Sequence, residues 1–218
     1  MRQDLIIIGD GKQAELAYRF LEDDSREYDL FGFAVEREFR KHDTLFGLPV
    51  RDLEESESWG CSFYAAISFA RLNGLRTRLV NEAKSRGMTP ITFVHSSAAV
   101  SPDAVIGEHV FICPLNNIDP CVTIGDNVYL HAANHIGHHS VIEDNVFIAS
   151  GVTISGGCRI GANTFIGVNA AVGHGVTIGA GCIIGAGTLI TRDVPAGSVV
   201  KRTSDMPEPD RTASEVKL

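Results

Sequence analysis

The chain has 218 residues, 19 Lys/Arg against 27 Asp/Glu, a formal net charge of −8 and a sequence pI near 5.4. That length accommodates one domain or two small ones, and the acidic balance argues against a nucleic-acid or anionic-membrane footprint. Its five cysteines form no C-x-x-C pair and no apolar run approaches a membrane span, so disulfide framework, thiolate zinc site and membrane span are all excluded as expectations.

After Met1-Arg2-Gln3-Asp4 the apolar-or-glycine run before Asp10 is only Leu5 to Gly9, too short a stretch for a signal peptide, which predicts a cytoplasmic protein. Leu5-Ile6-Ile7-Ile8 reads as a strand running into Gly9-Asp10-Gly11-Lys12-Gln13-Ala14. A helix follows with Ala14, Ala17, Tyr18 and Leu21 on one face, then a strand, Phe31-Gly32-Phe33-Ala34-Val35, closed by Glu36. Strand, glycine turn, helix, strand and acid open a Rossmann-like βαβ unit, which makes Gly9, Gly11, Lys12, Gln13 and Glu36 candidates for holding a nucleotide. Arg71 to Met88 predicts a second helix with Leu72, Leu75, Leu79 and Ala83 along a core-facing stripe. Glu54-Glu55-Ser56-Glu57 reads as solvated surface.

From Val94 the chain changes character. Residues 1–93 carry 13 Lys/Arg and 16 Asp/Glu, whereas 94–195 carry only Arg159 and Arg192 against seven acids, with 14 of the 22 glycines. So few long charged side chains cannot cover the outer faces of amphipathic helices. Instead an aliphatic residue recurs every six positions from Val94 to Ile190, and all seventeen are Ile, Val or Leu. The next position is often Gly, and four after the aliphatic the residue is small or branched, Cys158 and Cys182 included. A helical face repeats near 3.6 and a lone strand at 2, so a steady six is a repeat in its own right.

These hexads resemble the hexapeptide-repeat, left-handed parallel β-helix of the acyltransferase superfamily, over 94–195. The resemblance implies three hexads per triangular coil, residues 18 apart stacked directly, aliphatics inside, and glycine at the corners. Seventeen hexads then make a prism of about 27 Å at about 4.8 Å per layer; its hand departs from the usual right-handed crossover. A Rossmann-like domain (1–93), a β-helix (94–195) and a C-terminal tail (196–218) are similar, in that order, to the sugar acyltransferases that act on nucleotide-linked sugars in bacterial surface-glycan and sialic-acid pathways. Leu45-Phe46-Gly47-Leu48-Pro49-Val50 resembles their "GxPV" turn, and His95-Ser96-Ser97-Ala98 their "HPSA". The resemblance implies a nucleotide-sugar acceptor on the N-terminal domain and acetyl-CoA along the β-helix, between neighbouring subunits of a homotrimer. It implies no metal, and leaves N- and O-acylation both open.

Four histidines, His131, His135, His138 and His139, fall within nine residues of a repeat that otherwise favours Ala, Gly and Val, a local break where function is expected. Acyl transfer from a thioester needs a base for the nucleophile's proton, and an imidazole suits it. The resemblance matches the family's base to His138, at the third position of its hexad. Eighteen residues on stands Gly156, either a corner residue or the backbone N–H donor to the oxyanion. The acid that usually follows the base is His139 here, so Glu143 or Asp144 is a candidate to orient it. His131 stands where the family has Asn and is, by that resemblance, a candidate for acceptor contact. Asn116 and Asn134, 18 apart, are expected to stack as a buried amide ladder, with acceptor contact by Asn134 as the sharper reading. Ile184-Gly185-Ala186-Gly187-Thr188-Leu189-Ile190-Thr191-Arg192-Asp193-Val194-Pro195 resembles the family's last coil. It implies that acetyl-CoA lies against Gly156, Gly167, Gly185 and Ala186, with Arg192, Lys201 or Arg202 toward its phosphates.

Two other classes stand beside this reading. The β-helix of γ-type carbonic anhydrases holds zinc on three histidines, and both His95/His131 and His138/His174 are 36 residues apart. Ile136 and Gly179 occupy the places of the third ligand, however. The third reading is a scaffold or nucleotide-sugar sensor without catalysis.

Overall fold

The computed structural model describes residues 2–25, 27–58 and 60–201. Its first part comprises β1 (Gln3–Ile8), α1 (Lys12–Asp24), β2 (Tyr28–Val35), β3 (Thr44–Leu45), β4 (Leu48–Asp52), β5 (Ser62–Ala65), α2 (Gly74–Ser85) and β6 (Thr89–Pro90). The strands form one sheet in the order β3-β4-β2-β1-β5-β6, parallel except where β3 meets β4. Leu5 to Ile8 are all buried because β1 is central and covered on both faces, which is what a continuous apolar run in a parallel sheet requires. The "GxPV" segment is the β3–β4 hairpin. Phe46 and Gly47 both take positive φ, 51° and 78°, as a two-residue hairpin turn demands.

The second helix is shorter than its apolar stripe predicts. Arg71, Leu72 and Asn73 have φ of 53°, 51° and 66°, a left-handed turn that a right-handed helix cannot include, so α2 starts at Gly74. Leu79 and Ala83 are buried as expected, while Leu72 lies before the helix.

Two-residue strands then recur every six residues, from Phe93–Val94 to Leu189–Ile190. They wind as three parallel sheets. The first begins with Phe93–Val94 and Phe111–Ile112, the second with Ala99–Val100 and Asn117–Ile118, and the third with Val105–Ile106 and Thr123–Ile124. Each residue pairs with the one 18 positions on, as in Phe111↔Tyr129 and Asn117↔His135. The aliphatic and small positions fill one interior cluster that includes Ile136, Ile154, Cys158 and Cys182. The first corner joins the first sheet to the second, the second corner joins the second to the third, and the third corner returns to the first sheet.

The last layer breaks the count. Ile183 pairs with Val199 and Ile178 bridges Val194, each 16 residues on rather than 18. The prism therefore continues past 195 into the segment assigned to the tail, because Val199–Val200 is its final strand. The rest of that tail, 202–218 with Arg202, lies outside the described residues. Among the described residues no helix is long and apolar enough to cross a membrane.

The α/β part is fastened to the prism along the first sheet. Phe93, Phe111, Tyr129 and Phe147 on its outer face share one core cluster with Ile7, Tyr18, Leu21, Phe33 and Tyr64. At the third corner Arg76 of α2, fully buried, donates from Nε to Asn127 Oδ1 (3.0 Å) and from Nη2 to the carbonyls of Asn127 (2.9 Å) and Val146 (3.3 Å). Burial lowers its pKa to about 10. Nε2 of His109 accepts the Ala65 N–H at 2.8 Å, so its Nδ1–H donates to Asn127 Oδ1 at 2.9 Å. Burial first, and the Arg76 charge second, push the His109 imidazole down to about 3. With the α/β part on the first sheet, the second corner faces away from it across the prism.

Candidate active site

Corners come every six residues, so the winding separates the four neighbouring histidines. His131 sits half-buried at the first corner against Tyr129, with ring centroids 5.8 Å apart. Its Nδ1 is 2.7 Å from the Ala132 N–H and 2.9 Å from Ser150 Oγ, and burial lowers its pKa. His135 lies on the second sheet, 2.9 Å from Asn117 Nδ2 and 3.7 Å from Asp119. Only His138 and His139 are together, both exposed, at the second corner.

His138 Nδ1 is 3.1 Å from His139 Nδ1. Its ring covers Gly156 of the next coil. A β-carbon on Gly156 would stand 2.5 Å from both Cε1 and Nε2 of His138, so no residue with a side chain fits under the imidazole. The Gly156 N–H has no protein acceptor among the described residues. His174 follows one coil further on, its ring centroid 6.3 Å from that of His138. The pairing of Ala171–Val172 with Leu189–Ile190 puts exposed Arg192 next along the same corner. Imidazole, bare amide and cation thus line one edge, an arrangement suited to proton removal, oxyanion stabilisation and phosphate contact.

Several expectations are corrected. Glu143 does not orient His138: it lies at the third corner, paired with Arg159 and accepting the Ala162 N–H at 2.9 Å. Asp144 accepts the Asp126 N–H at 2.9 Å. Both follow a third-sheet strand and so sit one corner beyond the base. Asn134 is 2% exposed and has no access to an acceptor. Its Nδ2 donates to the His131 carbonyl at 2.5 Å and its Oδ1 accepts the Val152 N–H at 2.8 Å. Asn116 Nδ2 meets the same carbonyl at 2.9 Å, so the amide ladder forms around it. Gly167 is buried, and a β-carbon there would come 2.6 Å from the Ala186 N of the next coil; stacking explains the glycine. Gly167, Gly185, Ala186 and Lys201 all follow first-sheet strands, at the first corner, whereas Gly156 and Arg192 are at the second. One chain does not bring these two groups together.

The five N-terminal candidates do converge. Gly9, Gly11, Lys12, Gln13 and Glu36 line a cavity of about 600 Å³ at the ends of β1 and β2. Gly11 caps α1 without a side-chain hydrogen bond, so the helix opens free N–H groups, beside Lys12, toward the cavity. That is an anion-binding arrangement. Glu36 accepts from both Nη1 and Nη2 of Arg78, at 2.9 and 2.8 Å. Sequence reasoning missed Arg78, Arg71 and Phe39, which also line the cavity. Arg78 stands one position off the Leu75–Leu79 stripe, a weak signal for a cavity wall. For the zinc alternative, no three of His, Cys, Asp or Glu converge among the described residues.

Residues 121–156 and 157–192 match the bacterial transferase hexapeptide (six repeats) family. No curated protein sequence matches the chain. Among solved structures, the chain is similar to a His mutant of perosamine N-acetyltransferase from Caulobacter crescentus, in complex with CoA and GDP-perosamine. Identity is 27% over 90% of this chain and 92% of that one, with a TM-score of 0.81. The acetyltransferase domain of PglB from Neisseria gonorrhoeae (23% identity, 91% and 96% covered, TM-score 0.80) and WeeI from Acinetobacter baumannii (20%, 89% and 94%, 0.68) share the fold. Residues 121–192 therefore match the bacterial transferase hexapeptide repeats, and over about 90% of its length the chain shares its fold with solved acetyltransferases.

Proposed function

We propose that the chain is an acetyl-CoA-dependent acetyltransferase acting on the amino group of a nucleotide-linked sugar, in the cytoplasm. The α/β part, 1–93, is read as a Rossmann-like nucleotide-sugar domain, and the prism as a left-handed β-helix. The observation that carries the chemistry is the His138 imidazole lying over the Gly156 amide. The acceptor amine attacks the thioester carbonyl, and the C–N bond forms. His138 Nε2 takes the proton from nitrogen while the Gly156 N–H holds the oxyanion. Collapse breaks the C–S bond, and the proton passes on to the departing CoA thiolate. Similarity over 90% of the chain to an enzyme solved with CoA and GDP-perosamine supports this assignment of donor and acceptor.

The same reading makes the enzyme a homotrimer. The nucleotide cavity belongs to the part packed on the first sheet, and His138 is at the corner facing away from that sheet. A sugar held in one chain's cavity is served by the His138 of a neighbouring copy, which also joins the first-corner and second-corner donor residues. The test mixes two inactive variants, His138→Ala and Lys12→Glu, by unfolding and refolding them together. Thiol release from acetyl-CoA with GDP-perosamine or UDP-linked amino sugars is expected to reappear in the mixture. Continued inactivity, with each variant still assembling, refutes the shared site.

A further inference from the structure

We propose that His139 is a positioning residue that selects the reactive tautomer of His138 by accepting the proton of its Nδ1. This rests on His138 being the base. The two Nδ1 atoms are 3.1 Å apart, so one carries the proton and the other offers a lone pair. If His139 donates, His138 in its neutral form carries its proton on Nε2, the nitrogen over Gly156, and has no lone pair there for the substrate. If His138 donates, its Nε2 is free over the Gly156 amide. The working state therefore has His138 as the Nδ1–H form and His139 as the Nε2–H form.

The surroundings leave this pair to itself. The His–carboxylate contacts among the described residues are His95–Asp24 (3.9 Å) and His135–Asp119 (3.7 Å), and neither involves His138 or His139. Asp103, Asp119, Cys121 and Asp193 also lie along this corner, each with another partner: Asp103 with Cys121, Asp119 with Asn117 and Asp193 with the Thr177 N–H. The charged and titratable groups on the Gly156 side of the pair are His174, across Gly156, and Arg192 beyond it. Both are cationic when charged and cannot take over the acceptor role. The backbone supplies a second observation. His139 holds φ of 58° at a corner position filled by Cys121, at 61°, on the coil before and by Gly157 and Gly175, both at 70°, on the next two. An L-residue with a bulky ring is disfavoured there, and the ring is nonetheless present beside His138.

A carboxylate in this place would accept the Nδ1–H across the whole neutral range. A histidine loses its lone pair on protonation, so a proton on either ring removes the reactive state. Two variants separate positioning from structure. His139→Gly suits the left-handed backbone and keeps the fold, and should lower kcat with little change in KM for acetyl-CoA. His139→Asn retains an acceptor oxygen and tolerates the left-handed backbone, and should recover most of the lost kcat. Independently of any acceptor, ¹⁵N-histidine NMR at pH 8 should show the proton on Nδ1 of His138 and on Nε2 of His139. A His139→Gly enzyme with wild-type kcat, a His139→Asn enzyme no faster than His139→Gly, or an Nε2–H tautomer on His138 overturns the proposal. Full activity in His138→Ala instead defeats the base assignment beneath it.

Discussion

The imidazole of His138 rests on the α-carbon of Gly156, its partner one coil and 18 residues away. Because a β-carbon at 156 would lie 2.5 Å from Nε2 and Cε1, Gly156→Ala must swing the ring off the corner. The backbone φ at 156 is not left-handed, so alanine is tolerated by the chain itself. The expected result is a large loss of kcat with an almost unchanged Tm, measured by thiol release and thermal unfolding. Near-wild-type turnover would show that the ring works from some other place.

Removal of the base gives the reference for that loss. His138→Ala should reduce kcat by about 10²–10⁴-fold, the usual contribution of a positioned general base, with KM for acetyl-CoA little affected. Steady-state kinetics at pH 8 decide it.

Arg78 grips Glu36 at the cavity wall, far from the second corner. Arg78→Ala frees the carboxylate to repel a phosphate-bearing ligand, so KM for the nucleotide sugar should rise while KM for acetyl-CoA stays. Equal changes in both would contradict a division of the two substrates between the two parts of the chain.

The buried His109 carries a pH signature. It is held down to about 3, chiefly by burial, against about 6.5 for a free imidazole. Above about pH 6.5 it is neutral whether folded or unfolded and adds no pH dependence. Between the unfolded and folded values only the unfolded chain takes up the proton, so stability falls as pH falls, by up to about 1.4 kcal/mol per pH unit. His109→Asn installs the residue that stands at Asn127 and Asn145, the next two positions of that corner. Urea midpoints of this variant should be flatter than wild type from about pH 6 to 4; parallel curves would refute the role of His109.

The prism was legible because its seventeen aliphatics hold a period that side-chain burial alone explains, and Cys158 and Cys182 fell inside as that period requires. The shortened last coil was not, since Val194 comes two residues before the position at which the hexad count expects an aliphatic. The four histidines read as one cluster because the sequence shows proximity along the chain, whereas the corners assign His131 and His138 to different edges. Glu143 was misplaced for the same reason. Arg76 was invisible: it stands beside Leu75 like any solvent-facing helical arginine, and its partners Asn127 and Val146 are 51 and 70 residues away. The cavity glycines, by contrast, carry a local strand-turn-helix signal, and all of them converged.

The constant spacing of 18 determines which insertions and deletions the enzyme survives. Losing one residue between His138 and Gly156 would rotate every later side chain by one place around the prism, turning interior aliphatics outward and parting base from amide. Losing or gaining a whole coil elsewhere would leave that pair intact and only shorten or lengthen the column. Such a protein can change its height in steps of one coil without redesigning its chemistry.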